Sequence, residues 1–472
     1  MTCHLYRCHL LSMLCLLMAL PALSCGEANT SSKGVLTDGE AGGPANLLIV
    51  TVDTLRSDAL GCYGNVHGHT PNLDALASDG VVFERSHAPI ATTFPSHASM
   101  FTGVYPRVHG VRWNGQSLDE GWVTLAERLS DEGYATGAFV SYKSMVNRGG
   151  LGQGFETVSD PTHAKWDGAR SGDETVAMAS EWLTKHADGP FFLWVHLFEP
   201  HSPYPMTDYA AQSMGDYSGP FSAGIAAEDF SSLPKGWADD PHERAAIRAL
   251  YDGRVRDADR QVGRILESLT ECNAREDTLV VVLGDHGQLL GEHGILGHGP
   301  VLHEEVLRTP FILDEPGPRV GPARIEELVG VIDLTPTVLD LLGLPTLDGT
   351  QGRSLVPSLR GRPSEGSLYF AEVRVTGSKK AESVDAVDDP VAALRGRYKV
   401  VVTPKGVTFF DLKKDPGEQS PGAQEDLPES ARGLLDLARI HQKMPSGQSS
   451  LEASQQLDAE TLAELKALGY LK

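Results

Sequence analysis

Two rhythms of apolar and polar positions alternate along this chain. Asn46–Val52 and Asp277–Leu283 are near-continuous apolar, β-branched runs, the mark of strands buried on both faces. Gly80–Glu84, Ala135–Ser141 and Phe191–Val195 read as further strands. Between them, helical patterns occupy Leu73–Ala77, Leu125–Leu129, Glu174–Lys185, His242–Glu271 and Leu334–Leu342. Strand and helix in repeated alternation predict an α/β fold, a mostly parallel sheet sandwiched by helices. Beyond residue 365 the rhythm changes. Leu368–Val373, Tyr398–Val402 and Val407–Leu412 are short strand-like runs separated by turns, which predict a small C-terminal α+β subdomain with an antiparallel sheet. Glu418–Pro445 mixes acidic residues with helix formers, and Asp458–Leu471 reads as a terminal amphipathic helix. Residues 205–240 carry many Gly, Pro and Ser and read as an irregular excursion.

The amino-terminal end follows neither rhythm. Leu10–Leu20 is apolar but too short to span a bilayer, so residues 1–25 read as a signal peptide. Ala22-Leu-Ser-Cys25 resembles a bacterial lipobox with Ala where Leu is usual, which makes Cys25 the candidate lipidation site of an exported periplasmic or cell-surface lipoprotein, against simple cleavage nearby. Residues 26–45 are rich in Gly, Ser, Thr and acids and read as a flexible tether. The catalytic domain is then expected over 46–365 and the subdomain with its terminal helix over 366–472.

Composition narrows the function. The chain has 472 residues, 41% of them hydrophobic, and a formal net charge of −23. That charge argues against nucleic acid or anionic lipid as a partner and leaves a lipid anchor as the only membrane contact expected. An anionic substrate would need local compensation from a metal ion or histidines. Cys62 and Cys272 are the cysteines of the mature chain; they can pair in an oxidising compartment or stay as free thiols.

The candidate chemistry sits at strand ends. Asp53 closes the first strand, where α/β sheets place ligands. Thr92 and Thr93 precede Phe94-Pro95, with a helix predicted to begin at Pro95; a nucleophile before a helix N-terminus suits attack on a phosphate or sulfate ester. Alone, this is equally an ordinary capped helix start. His196, Glu199 and His201 follow the strand 191–195, and Gly284-Asp-His-Gly287 ends the strand 277–283. A carboxylate followed at once by an imidazole, flanked by glycine, suits a divalent cation.

Taken in order, Ile49–Asp53, Pro95–Pro106, Pro200–Tyr204, Gly284–Gly287 and Asp333–Leu339 resemble the sulfatase branch of the alkaline phosphatase superfamily, and Tyr398-Lys399, Phe410–Leu412 and Asp415-Pro416 are similar to its C-terminal subdomain. The departures are specific. Most sulfatases carry Cys or Ser in a C-x-P-x-R motif that matures to formylglycine; here Thr93 and His97 hold the Cys and Arg positions. Threonine cannot become the aldehyde, because its Cβ already bears a methyl, and a threonyl ester has no second hydroxyl with which to eliminate sulfate. Thr54 stands where many sulfatases have a second Asp, and His298 where they have Lys. Thr93 and His298 look like the superfamily's phosphodiesterases and phosphoethanolamine transferases.

The resemblance implies a hydrolase acting through Thr93, with one divalent ion (Zn, Mn or Ca) held by Asp53, Thr93, Asp285 and His286. His298 and His201 would be catalytic, protonating the leaving oxygen, and Asn114, His196 and His97 would bind the substrate, His97 also orienting Thr93. A second metal would draw on Glu199, His201 and His293, whose spacing does not match the two-zinc members. The substrate expected is a phosphodiester, phosphonate or phosphate ester of a small molecule, glycan or lipid headgroup. Two alternatives stand beside it: sulfate ester hydrolysis without formylglycine, and a non-catalytic glycan-binding lipoprotein, against which the complete ligand set argues.

Overall fold

A computed structural model describes residues 45–444, apart from 68, 115, 143–144, 148, 162–168, 320, 365 and 375–388. The signal peptide, Cys25, residues 26–44 of the tether and the helix expected at Asp458–Leu471 lie outside the described residues. No helix among the described residues is long and apolar enough to cross a membrane.

Nine strands of the described chain form one sheet: β1 (Asn46–Val52), β2 (Val81–His87), β3 (Ala135–Val140), β4 (Thr157–Ser159), β5 (Phe191–Leu197), β6 (Thr278–Gly284), β7 (Arg308–Thr309), β8 (Phe311–Asp314) and β9 (Arg324–Gly330). Their order is β7-β2-β8-β6-β1-β5-β3-β4, with β9 paired to β2. The block β6-β1-β5-β3-β4 is parallel throughout. β8 runs antiparallel between β2 and β6, an inversion that its bare apolar run does not reveal.

Strand alternation builds a core on each face. Leu48, Val50 and Val52 of β1 point into one with Val176, Leu183, Val255 and Val262 of the helices Gly172–His186 and Pro241–Glu271. Leu47 and Ile49 point into the other with Phe94, Phe101, Leu125, Val338 and Leu339. All five of these β1 side chains are fully buried, each contributing about 1.5–3 kcal/mol of hydrophobic stabilisation. The expected helices and sheet sandwich are therefore present.

The C-terminal sheet contains β10 (Leu368–Glu372), β11 (Val391–Arg395), β12 (Tyr398–Thr403) and β13 (Gly406–Asp411), antiparallel in that order. β11 was not among the expected strands. The helix Glu429–Lys443 covers this sheet. A third core mixes Phe370, Ala393 and Leu434 of this subdomain with Ala91, Tyr105 and Val306 of the preceding chain. Glu372 N donates to Pro89 O at 2.8 Å. Cys62 and Cys272 are both free and half-buried.

Candidate active site

Register brings the two strand-end acids together. Val52 lies opposite Gly284 in the parallel pair β1–β6, so Asp53 and Asp285 leave adjacent strands side by side. Both are fully buried, as are His286, His196 and His97. Asp285 Oδ1 accepts from Thr54 N at 3.0 Å and His286 N at 2.7 Å. Thr54 has φ of 55°, a left-handed conformation that costs a β-branched residue energy and persists where surrounding structure enforces it. Here it turns the Thr54 amide onto Asp285, while Thr54 O accepts from Tyr251 Oη at 2.8 Å.

Asp53 Oδ1, Asp285 Oδ2 and His286 Nε2 are each buried without a hydrogen-bond partner. His286 Nδ1 lies 3.0 Å from Gly287 O. A carbonyl can only accept, so Nδ1 carries the proton and Nε2 presents its lone pair to the acids. Nε2 is 3.6 Å from Asp285 Oδ2 and 3.9 Å from Asp53 Oδ1. Burial raises the Asp53 pKa well above the carboxylate range, with Asp285 adding to it. Burial likewise pushes Asp285 up to about 6 and His286 down to about 3. Two buried carboxylates and one oriented imidazole lone pair, their ligand atoms within 4.8 Å of one another, fit a divalent cation, which would supply the missing charge.

The nucleophile candidate stands beside this set. The helix of Thr93 runs from Thr93 to Thr102 with the extended Thr92 as its N-cap, so it begins two residues earlier than expected. Pro95 is its third residue, inside the first turn, where a missing N–H breaks no helical bond. Thr93 Oγ1 lies 3.5 Å from Asp53 Oδ2. Phe94 N donates to Asn114 Oδ1 at 2.9 Å. Asn114 thus fixes the helix start through its carbonyl.

His97 departs from the substrate-binding role expected of it. It is fully buried, with Nδ1 2.8 Å from Thr93 O and Nε2 2.9 Å from Thr51 Oγ1. Both ring nitrogens are engaged, because His97 lies one helical turn after Thr93 and points inward. It holds the Thr93 backbone. His196 lies opposite Thr51 on β5, fully buried, both ring nitrogens without hydrogen-bond partners and Nε2 3.7 Å from Asp53 Oδ2. Half-buried His201 and His298 face each other, Nε2 to Nε2 at 3.1 Å. His201 Nδ1 donates to Ser202 O at 2.7 Å and His298 Nδ1 to Ala91 O at 3.2 Å. Both Nε2 atoms are therefore lone pairs, and burial lowers both pKa values.

The sequence marks Thr54 only as a departure from a second Asp, and no site role was expected of Thr54, Ser96 or Thr51. Thr54 Oγ1 is buried without a partner, and Ser96 Oγ donates to Asp285 O at 2.6 Å. For Ser96 and Thr51 the one available signal was closeness to Asp53 and Thr93 in the chain. Asp333, part of a motif quoted above, is structural: it accepts from Gly330 N and Arg353 N, each at 2.9 Å, and from Tyr369 Oη.

Glycan and phosphonate enzymes stand among the similar proteins. A Delta 4,5-hexuronate-2-O-sulfatase of Bacteroides thetaiotaomicron is 25% identical over 79% of this chain and 83% of its own. The multifunctional alkaline phosphatase superfamily protein PehA of Trinickia caryophylli is 26% identical over 79% of this chain and 90% of its own. The crystal structure of the phosphonate monoester hydrolase of Agrobacterium radiobacter superposes with a TM-score of 0.66 at 23% identity, covering 90% of this chain and 95% of that one. The sequence profile described as N-sulphoglucosamine sulphohydrolase, C-terminal, matches residues 291–443. The Sulfatase profile matches residues 45–344, the span that carries both strand-end acids and Thr93, and the chain belongs to the sulfatase family of the alkaline phosphatase superfamily.

Proposed function

We propose that this protein hydrolyses a phosphodiester, phosphonate or phosphate ester by double displacement through Thr93. The observation that carries the reading is a threonine at the nucleophile position, its hydroxyl 3.5 Å from Asp53 Oδ2 beside unpartnered Asp285 Oδ2 and His286 Nε2. Asp53, Asp285, His286 and Thr93 would hold one divalent ion, which when bound lowers the pKa of a hydroxyl and polarises a non-bridging ester oxygen.

The chain's own groups account for the rest. Thr93 Oγ1 gives up its proton to Asp53 Oδ2, 3.5 Å away, and forms the new bond to phosphorus as the leaving oxygen departs in line. Asn114 and His97 keep the helix start rigid, so the hydroxyl stays in register with the acids. His298 or His201 hands a proton to the leaving oxygen. Burial holds both imidazoles neutral in the free site, and the negative charge of a bound ester reverses that preference. Water then cleaves the phosphothreonine, since threonine offers no gem-diol for elimination.

A specific observation favours a second reading, sulfate ester hydrolysis: relatives similar to this chain are named sulfatases. Purified protein assayed on p-nitrophenyl sulfate, phosphate, a phosphodiester and a phenylphosphonate separates the two. Faster turnover of the phosphorus esters is expected, and a preference for the sulfate would overturn the proposal. The general acid is tested by leaving group. His298→Ala is expected to slow an alkyl ester by about 10²–10⁴-fold and the p-nitrophenyl ester far less, because p-nitrophenolate leaves without a proton. Equal losses on both esters would remove His298 from that role.

A further inference from the structure

A second cluster of metal-type ligands lies outside this site. His293 and His303 nitrogens and Glu305 and Glu418 carboxylate oxygens come within 4.8 Å of one another. His293 follows the Asp285-His286 loop, His303 and Glu305 flank the start of the helix Glu304–Leu307, and Glu418 comes from the C-terminal subdomain. Gln288 N donates to Glu305 O at 2.9 Å, which fixes the Glu305 backbone against the catalytic loop.

Charge is unbalanced there. Glu304, Glu305 and Glu418 have side chains 11%, 11% and 1% exposed. Lys399, fully buried, is shared by Glu304 at 2.9 Å and Glu418 at 2.6 Å. His87 Nε2 sits on the other Glu304 oxygen at 2.8 Å, and nearby Glu292 is paired with Arg56 at 2.7 Å. Glu305 has no such partner. Its Oε2 is buried without a hydrogen bond, and so is His293 Nε2, 3.5 Å away. Burial and Glu292 hold the Glu305 carboxyl above its ordinary range. Glu418 Oε2 lies 3.0 Å from His303 Nδ1, the carboxylate–imidazole arrangement that leaves the other ring nitrogen, Nε2, for a cation.

We propose that His293, His303 and Glu305, with Glu418 orienting His303, form a second divalent-cation site suited to Zn²⁺. Two imidazoles and a carboxylate match zinc better than Ca²⁺ or Mg²⁺. The His303 side chain is 29% exposed and His293 14%, so an ion reaches them from solvent. The two rings stack with centroids 3.7 Å apart and planes at 10°; sharing one ion therefore requires one imidazole to turn about its Cβ–Cγ bond.

The test is zinc stoichiometry on the full chain after chelation and dialysis, read by calorimetry and elemental analysis. Wild type is expected to take two equivalents. Glu305→Gln and His293→Gln are expected to retain one, with the affinity of the second lowered at least about 10-fold, and Asp285→Asn to retain the other. Far-UV circular dichroism of the chelated variants checks that they fold. If they do not, Co²⁺ placed in wild type as the second equivalent is read by X-ray absorption, where two imidazole ligands support the site and an all-oxygen shell overturns it. One equivalent in wild type, lost in Asp285→Asn, would overturn it too, and would leave His293 as a plain neighbour of Glu305.

Discussion

Turnover by a Thr93→Ala variant is expected to fall on the order of 10⁴-fold or more, as removal of a covalent nucleophile does elsewhere. The size follows from the geometry. Asp285 and His286 keep their positions without the Thr93 side chain, because backbone groups hold them, and strand register keeps Asp53 beside them although its carboxylate loses the hydrogen bond from Thr93. What is lost is one oxygen, which is at once the attacking atom, a ligand proposed for the ion and the donor to Asp53. Thr93→Ser keeps that oxygen and removes only the methyl that blocks aldehyde formation, so a substantial part of the activity should return. Mass spectrometry of quenched wild-type reactions should find one phosphoryl group on the peptide containing Thr93. Activity persisting in Thr93→Ala, with no modified peptide, would mean that water attacks directly and that Thr93 is only a ligand or helix start.

The largest stability effect is expected away from the reacting atoms, at Glu372 on β10. Its side chain is 1% exposed and receives Arg107 Nε at 3.1 Å and Arg112 Nε at 2.7 Å, with His441 Nε2 at 3.4 Å. Arg112 also reaches Asp389 at 2.8 Å. Glu372→Ala leaves two buried guanidinium groups short of their carboxylate, a change that costs about 3–5 kcal/mol. Urea denaturation should show it as a lower midpoint at unchanged slope.

Burial alone would raise the Glu372 pKa, but Arg112 and Arg107 hold it well below the ordinary carboxylate range. A depressed folded-state pKa stabilises above the unfolded value, near the usual 4.5, and that contribution fades as pH falls toward the folded value. Wild type should therefore lose stability below about pH 5, and the gap between wild type and Glu372→Ala should narrow there. A gap that stays constant down to pH 3 would assign the effect to lost packing instead. Arg112 lies two residues before Asn114, whose carbonyl fixes Phe94 N, so a drop in activity is expected to accompany the drop in stability.

How much of this was legible in the sequence depends on separation along the chain. Asp53 and Asp285 could be read because each ends a doubly buried strand, and such strands find one another in a parallel sheet. His286 could be read as the next residue. The outward path of the chain could not. β8 is apolar like its neighbours, and nothing in Phe311–Asp314 marks it as running the other way. His97 looked like a substrate ligand because its type suits one, yet one helical turn after Thr93 carries it inward onto Thr51. The facing of His201 and His298, and the ties of Glu372 to Arg107 and Arg112, join segments separated by 97, 265 and 260 positions. No local pattern records such pairings, because tertiary contact creates them.

The carboxyl-terminal reach of the Arg107 network also sets an order of assembly during synthesis. Arg107 Nη1 donates to Met444 O at 2.9 Å, and Glu372 must arrive before either arginine is neutralised. The residues that form the sheet and the acids emerge from the ribosome long before these partners do. A growing chain can pair β1 with β5 and later with β6, yet the segment 106–114 beside the nucleophile keeps two unpaired cations until almost the whole polypeptide is made. Long-range closure of this kind is slow relative to local structure. The nascent protein therefore anchors the segment 106–114 last, after the strands that carry the acids have already been made.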